Sequence, residues 1–544
     1  MWECRYDDIE EKSTTVRFIT PQEDIILAST LKLLAAALAS AGLLVACGGG
    51  GSDSGGSTQT DNSGARGSLI HNPPLGVTVL TAEEFKGRLD ANASGKSLLQ
   101  LAGAPKCGVD IRYIEYGTVG GAGEATNASG ALMIPKGDAA GCSGPRPVLL
   151  YAHGTTSDRA YNIADITEPA RPGASEGTLL AAMFAAQGFI VVAPNYAGYD
   201  VSKLGYHPYL NADQQSKEMI DSLTAARKAL PNLGGKDSGA LLVTGYSQGG
   251  FVAMATHRAM QAAGMPVTAS APLSGPYAMA AFGDAIFSGN VNLGSTLFLP
   301  LITTSYQKAY GNIYRQTSDI YEAQYATGIE TLLPSSTPFT SLVQQGKLPL
   351  TALFSSTAPA PGLESITPPT TPAAQAPLFA LGFGKNNLIN NPTRLAYLMD
   401  AKANPDGALP AVTTGMPSTT AANPVRQALV KNDLRGWSPR APVLMCGGNA
   451  DPTVFYAPNT GLMQQLWASL PAGLVTALDV DSAPAGASDP FAAVKAGFAQ
   501  TKAGVAAQGG AEAVVEAYHG SLVPPFCSVA ARAFFQKVLA GAGA

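Results

Sequence analysis

The chain has 544 residues, of which 46% are hydrophobic and only 13% are charged, so it has enough apolar side chains to bury a large core. Its formal net charge is −5 and it contains no run of Lys or Arg, which argues against nucleic acid as a partner. Its six cysteines are too sparse for a disulfide scaffold and include no C-x-x-C pair, which excludes zinc ribbons and dithiol redox centres. The five histidines have no carboxylate or thiol neighbours at ligand spacing, so the sequence predicts no metal site, and no motif indicates a cofactor.

The N-terminal region predicts an export signal. A mainly apolar run without charged residues, from Leu33 to Ala46, is shorter than the ~20 residues of a membrane-spanning helix and fits the apolar core of a signal peptide. It ends in "LVAC", which resembles a bacterial lipoprotein box, in which the cysteine becomes the acylated N-terminus. We therefore expect a signal peptide over residues 1–46 and a lipid on Cys47 that holds the protein at the outer membrane or cell envelope. An uncleaved signal anchor is the alternative.

Two further expectations concern the flanks of this signal. Residues 1–24 carry seven acids against three bases, whereas a signal peptide begins with basic residues. We therefore expect translation to start near residues 25–30, and a peptide from residues 1–24 detected in cells would contradict this. After Cys47, the Gly- and Ser-rich residues 48–67 offer no apolar side chain to a core and predict a flexible tether.

From residue 109 onward, β-branched runs alternate with Ala-rich helical runs, which predicts an α/β fold with a mostly parallel central sheet and helices on both faces. Residues 68–275 form the first part of this body. "VDIRYIEYGTV" and "GALMIP" predict a hairpin, and "RPVLLYAHG" a buried strand. There follow the helix "EGTLLAAMFAAQG" ending at Gly188, the strand "FIVVAPNYAGYD" and the helix "NADQQSKEMIDSLTAARKAL", capped by Asn211 or Asp213. The strand–turn–helix run "GALLVTGYSQGGFVAMATHRAMQAAG" and the strand "PVTASAPLSGPY" complete it.

Residues 276–439 interrupt this alternation of strands and helices. They contain the apolar run Leu297–Ile302, several tyrosines and a Pro-rich stretch. A segment of this length inside a compact fold predicts a cap or lid, and a surface insertion without a function is the alternative. Residues 440–544 resume the body with the strand "APVLMCGGNADPTVFY", and "AEAVVEAYHG" predicts the final strand.

The motif "GYSQGG" places Ser247 between Gly245 and Gly249, after a buried strand and before a helix. This is the context of a G-x-S-x-G nucleophile elbow, a sharp turn that exposes the serine hydroxyl and leaves no room for side chains two residues away. The helix that starts at Gln248 directs its N-terminal N–H groups toward an oxyanion forming beside Ser247. We therefore interpret Ser247 as a nucleophile, and an ordinary turn serine is the alternative.

A serine nucleophile needs a base, and only five histidines are present. His71 lies near the tether, and His153 and His207 lie in loops before the nucleophile. His257 lies ten residues along the nucleophile's own helix, about 15 Å away. This leaves His519 in "AYHGSL", which follows the final predicted strand, with a structural loop histidine as the alternative.

A carboxylate must orient the imidazole of His519 and stabilise its charged form. Asp451 follows the strand "PVLMC" at the edge where ligands bind in open α/β sheets. Asp479 and Asp481 also lie between the serine and the histidine, and they are rival candidates. We favour Asp451 because the two glycines that precede it permit a tight turn directly after the strand.

The tetrahedral intermediate of acyl transfer needs two N–H donors. One is the backbone N–H of Gln248, the residue after the nucleophile. The other is expected from the loop "YAHGTTSD", where we favour Thr155, with Thr156 or Asp158 as alternatives.

Together these residues resemble the α/β-hydrolase superfamily, and within it the secretory lipase and esterase branch. The resemblance is carried by the elbow, the "HG" loop and the order serine, aspartate, histidine, and it covers about residues 100–540. It implies a large lid between core strands 6 and 7, and hydrolysis of carboxylic esters through an acyl-enzyme. The apolar lid and the expected membrane anchor favour lipophilic or polymeric esters. A serine peptidase of the same fold and a binding lipoprotein without catalysis are the alternatives.

Export would permit disulfides among the four cysteines that remain after cleavage and acylation, which are Cys107, Cys142, Cys446 and Cys527. Four cysteines allow three pairings, and sequence alone does not decide between them. The local choice pairs Cys107 with Cys142 across the opening hairpin. It also pairs Cys446 with Cys527, which would connect the loops of the aspartate and the histidine. Four free thiols are the alternative.

Overall fold

The computed structural model describes residues 64–486 and 488–542 of the chain. The expected signal peptide, the expected lipid site Cys47 and most of the expected tether lie outside the described residues. Within the described ranges, no helix is both long enough and apolar enough to cross a bilayer.

The end of the expected tether differs from the prediction. Gly67 is buried, and its N–H donates to the carbonyl oxygen of Gly117 at 2.9 Å. Arg66 forms an ion pair with Asp221 at 3.0 Å. These contacts belong to the folded body, so the tether ends before residue 66. Composition missed this because an arginine and a glycine can attach to a body without contributing an apolar side chain.

Eleven strands are described, and nine of them form one central sheet. In chain order they are β1 (Leu75–Leu80), β2 (Gly108–Val119), β3 (Ala125–Lys136), β4 (Pro145–Ala152), β5 (Ile190–Pro194), β6 (Lys236–Tyr246), β7 (Ala269–Leu273), β8 (Phe354–Ser355), β9 (Phe383–Gly384), β10 (Val443–Gly447) and β11 (Val475–Asp479). The central sheet has the order β1-β2-β3-β5-β4-β6-β7-β10-β11, and β8 pairs only with β9. The strands from β5 to β11 in this order run parallel, while β1, β2 and β3 pair antiparallel.

The described α-helices are α1 (Ala82–Asp90), α2 (Ala93–Ala102), α3 (Ala174–Met183), α4 (Ala212–Ala229), α5 (Gln248–Ala262), α6 (Met279–Phe287), α7 (Ser295–Tyr310), α8 (Ala323–Ala326), α9 (Phe339–Gln344), α10 (Ala376–Ala380), α11 (Asn391–Ala403), α12 (Pro424–Lys431), α13 (Leu462–Leu466), α14 (Ala492–Ala517) and α15 (Val523–Ala542). Helices α4 and α5 pack together and against the sheet, and α3 packs with α15, which contacts β10. The predicted mostly parallel sheet between two layers of helices is therefore confirmed. The inner strands β5 and β10 are continuous apolar runs because both of their faces are covered.

Most of the predicted elements are confirmed, including the β2–β3 hairpin. The side chain of Asn211 caps α4 by accepting from the N–H of Gln214 at 3.2 Å. A short helical turn follows α3, and Gly188 ends it with a φ of 98°, a conformation that glycine adopts readily. The sequence did not predict β1, α1 or α2.

The prediction of a final strand in "AEAVVEAYHG" is wrong. These residues belong to α14 and to the helical turn after it, and the last strand of the sheet is β11. The pair Val514 and Val515 indicated a strand, but the surrounding alanines and glutamates are strong helix formers. His519 therefore follows a helix rather than a strand.

The insertion occupies residues 274–442, between β7 and β10. If only strands of the central sheet are counted, starting from β2, then β7 and β10 are the sixth and seventh in chain order. Buried ion pairs hold the insertion in place: the guanidinium of Arg435, which has no exposed side-chain surface, contacts Asp406 at 2.7 Å and Asp433 at 2.8 Å. Arg258 of α5 donates to the carbonyl oxygen of Asp433 at 3.0 Å, which connects this network to the nucleophile's helix.

The structure contains two disulfides, in the pairing that the sequence favoured. Cys107 joins Cys142 near the opening hairpin, and Cys446 of β10 joins Cys527 of α15. The second disulfide connects the strand that precedes Asp451 to the helix that follows His519.

Candidate active site

Ser247, His519 and Asp451 meet beyond the carboxyl ends of the parallel strands. Ser247 lies between β6 and α5, Asp451 lies in the loop after β10, and His519 lies in the π-helical turn Tyr518–Leu522 between α14 and α15. The Nε2 atom of His519 is 2.8 Å from Ser247 Oγ, and its Nδ1 atom is 2.7 Å from Asp451 Oδ2. Because a carboxylate only accepts, Nδ1 donates to Asp451, and Nε2 is left to accept from the serine hydroxyl.

The turn that presents Ser247 is sharp. Its φ of 58° and ψ of −120° are strained for a residue with a side chain. A Cβ on Gly245 would lie 2.4 Å from the carbonyl oxygen of Gly249, and a Cβ on Gly249 would lie 1.9 Å from that of Ala152. Both glycines are therefore required, for the steric reason that the motif implies.

Asp451 is almost fully buried and has its two oxygens in different roles. Oδ1 accepts from the N–H groups of Thr453 and Val454 at 2.9 and 3.0 Å, which orients the carboxylate and leaves Oδ2 for His519. A continuous chain of hydrogen bonds thus runs from the loop backbone through Asp451 and His519 to Ser247.

The two rival carboxylates hold the loops of this site instead of contacting His519. Asp479 accepts from the backbone and side-chain nitrogens of Asn449 at 3.1 and 2.7 Å, two residues before Asp451. Asp481 accepts a hydrogen bond from the hydroxyl of Tyr518 at 2.7 Å, and Tyr518 is the residue just before His519.

No family model matches the chain, and no curated protein matches it in sequence. Among solved structures, the rice cell wall degrading esterase LipA from Xanthomonas oryzae is similar, with a TM-score of 0.58 and 26% identity over 83% of this chain and 97% of LipA. The chain has the α/β-hydrolase fold. A putative hydrolase from Legionella pneumophila has the same TM-score of 0.58 at 18% identity, over 86% of this chain and 98% of that one, and it supports the fold alone. The predicted superfamily and fold class are confirmed.

In this α/β-hydrolase, the "HG" loop lies against the elbow, since a Cβ on Gly154 would be 3.9 Å from Ser247 Cβ. Within the described residues, the backbone N–H groups of Gln248 and Thr155 have no hydrogen-bond partner. The N–H of Asp158 is instead occupied by the hydroxyl of Thr156 at 3.1 Å. The N–H of Thr156 likewise has no hydrogen-bond partner among the described residues, so Thr155 and Thr156 are both free to act as the second donor, and Thr155 stays a prediction.

Sequence reasoning missed two side chains that support the site. The hydroxyl of Tyr246 donates to the carbonyl oxygen of His519 at 2.6 Å, and the two rings lie 5.1 Å apart.

The side-chain Nε2 of Gln248 lies 2.7 Å from Nε2 of His207, whose Nδ1 contacts the carbonyl oxygen of Ala197 at 2.9 Å. Burial lowers the pKa of His207 to about 3, so its ring is neutral and its Nε2 accepts from Gln248. The adjacency of Tyr246 and Gln248 to Ser247 was the only signal that the sequence offered.

The insertion supplies most of a pocket that opens at Ser247. The pocket has an empty volume of about 770 Å³, including its mouth, and its walls are largely apolar. Its lining residues from the insertion are Pro276, Met279, Phe282, Gly283, Ile286, Phe287, Asn292, Ser295, Phe298, Leu299, Ile302, Leu353, Val425 and Leu429. Among residues 64–486 and 488–542, no group of three or more His, Cys, Asp or Glu side chains is placed to hold a metal ion.

Proposed function

We propose that the protein is a serine hydrolase that cleaves carboxylic esters through an acyl-enzyme, with Ser247 as nucleophile, His519 as base and Asp451 as the orienting acid. The observation that carries this proposal is the continuous hydrogen-bonded chain from Asp451 through His519 to Ser247, at 2.7 and 2.8 Å. The description of LipA as an esterase supports it, because LipA has the same fold and matches this chain at 26% sequence identity.

The geometry allows each step to be assigned to a group. His519 Nε2 takes the hydroxyl proton as Ser247 Oγ attacks the ester carbonyl, and Asp451 stabilises the imidazolium that results. The N–H groups of Gln248 and Thr155 donate to the developing oxyanion. The imidazolium then protonates the leaving alcohol. In the second half of the reaction, His519 takes a proton from water as the water attacks the acyl-enzyme. The imidazolium then returns this proton to Ser247 Oγ as the bond between Oγ and the acyl carbon breaks and the acid is released.

The pocket favours a lipophilic acyl group. Phe282, Ile286, Phe298 and Leu299 present apolar surface that would be removed from water by an acyl chain, which contributes about 0.8 kcal/mol for each buried methylene. We infer that the insertion acts as the lid of the site and forms its acyl-binding wall. Esters of long-chain acids, including polymeric esters, therefore fit the site better than small charged esters.

Parallel assays with a p-nitrophenyl acyl ester and an aminoacyl anilide test this function. We expect hydrolysis of the ester and little hydrolysis of the anilide. Hydrolysis of the anilide alone would contradict the proposal and would favour a serine peptidase of the same fold.

We also propose that the enzyme is exported and anchored by a lipid on Cys47. The apolar segment and the "LVAC" box support this, and the two disulfides are compatible with an oxidising compartment. We expect cells grown with labelled palmitate to incorporate the label into the wild-type protein but not into Cys47→Ser. Equal labelling of both proteins would refute the anchor while leaving the proposed chemistry untouched.

A further inference from the structure

Two pockets lie on either side of one residue of the insertion. The pocket at Ser247, which we call the inner pocket, is lined by Val425 and Leu429, one turn apart on α12. A second pocket, which we call the outer pocket, has an empty volume of about 870 Å³, including the open solvent at its mouth, and is lined by Asn423, Pro424 and Val425 at the start of the same helix. Val425 is buried and is the one residue that lines both pockets. The two spaces therefore approach each other to within about the width of one side chain.

Helix α7 connects the walls of the two pockets. Its residues Ser295, Phe298, Leu299 and Ile302 line the inner pocket. Residues 311–315, directly after its end, line the outer pocket. From Ile302 to residue 311 a helix advances about 13 Å, so the outer pocket extends the cavity along the direction of α7.

The chemistry of the outer pocket suits the far part of an acyl chain. Its wall is mixed: Ile313, Tyr314 and Ile320 supply apolar surface. The polar and charged residues that also line it are Asn312, Arg315, Asp319, Thr393 and Asn423. Ala396 of α11 also lines it and is exposed to solvent, so the outer pocket is open to solvent at this residue. An apolar chain entering from the inner pocket would thus find further apolar surface on the other side of Val425.

We propose that Val425 sets the longest acyl chain that the inner pocket accepts, and that the outer pocket is a latent extension of the acyl site. This inference rests on the proposed ester hydrolase function. Each methylene that is buried favours binding about fourfold, until the chain reaches the isopropyl group of Val425. Removing the two methyl groups of that side chain would join the pockets and allow longer chains to be buried.

The experiment compares kcat/KM for p-nitrophenyl esters from butyryl to octadecanoyl, with each profile normalised to the butyryl ester of the same variant. Val425→Ala is expected to move the optimum to longer chains, raising the relative kcat/KM of the longest esters by about tenfold or more. Val425→Phe is expected to move the optimum to shorter chains. Normalisation makes each profile independent of the fraction of enzyme that is folded, which matters because Val425 is buried.

Ala396→Trp provides the matched control, because it fills the outer pocket without lining the inner one. In the Val425→Ala background, the tryptophan is expected to restore the wild-type profile, whereas alone it should leave the profile as in the wild type. A Val425→Ala profile that equals the wild type, or that Ala396→Trp does not reverse, would overturn the inference.

A second measurement separates this inference from the proposed function. Free fatty acids of increasing length should raise the unfolding temperature up to a length limit that shifts between wild type, Val425→Ala and Val425→Phe in the same order as the ester optima. If the wild type hydrolyses no ester, the proposed function fails, and the fatty-acid series still decides whether Val425 limits chain length. An unchanged length limit in all three proteins would overturn the inference.

Discussion

Ser247→Ala is expected to lower kcat for a p-nitrophenyl acyl ester by about a million-fold, to the level that oxyanion donors and binding alone support. The methyl group cannot attack the carbonyl, while the N–H groups of Gln248 and Thr155 and the apolar pocket are retained. The φ of 58° at Ser247 strains any residue that has a side chain. Alanine is under the same backbone constraint as serine, so the fold should be preserved. Steady-state kinetics together with a thermal unfolding curve check this.

Ser238→Ala is the matched control, since Ser238 lies at the exposed start of the same strand, β6. A fluorophosphonate probe should label the wild type and Ser238→Ala but not Ser247→Ala. Folded wild type that resists the probe would favour a binding lipoprotein without catalysis. A probe adduct on another serine would assign the nucleophile elsewhere.

The parts of the fold that could be predicted are those where local chemistry determines the structure. The buried strands are runs of apolar residues, and the elbow needs glycines at positions 245 and 249 because their Cβ atoms would meet backbone. The position of the insertion followed from the interruption of the strand–helix alternation. Its internal structure did not, because it depends on distant partners such as the buried contacts of Arg435 with Asp406 and Asp433.

His519 illustrates a prediction whose structural context was wrong. Elimination among five histidines selected it, but the expected strand before it is a helix. Its ring still reaches Ser247 because α15 is tied to β10 through Cys446 and Cys527, and because Tyr246 holds its carbonyl oxygen. The disulfide joins residues 81 positions apart and the hydrogen bond joins residues 273 positions apart, so no local sequence pattern predicts either contact.

The assignment of Asp451, rather than Asp479 or Asp481, as the carboxylate that orients His519 predicts a large effect on kcat. Asp451→Asn is expected to lower kcat by about ten-thousand-fold with the fold intact. The asparagine keeps an oxygen for the N–H groups of Thr453 and Val454, which directs its NH₂ group at Nδ1 of His519. Nδ1 must then accept, so the proton moves to Nε2, and the imidazole no longer accepts the proton of Ser247.

Asp479→Asn and Asp481→Asn are the matched controls, because each removes one negative charge from the same rim of the sheet. Each carboxylate supports a loop through hydrogen bonds to Asn449 or Tyr518, so each change is expected to lower kcat by at most about tenfold, the effect of one hydrogen bond. Steady-state kinetics of the three variants across pH decide the assignment. Suppose that Asp451→Asn stays active and that one of the controls loses about ten-thousand-fold in kcat instead. The carboxylate changed in that control would then be the one that orients His519. The loop contacts would then have to rearrange when substrate binds.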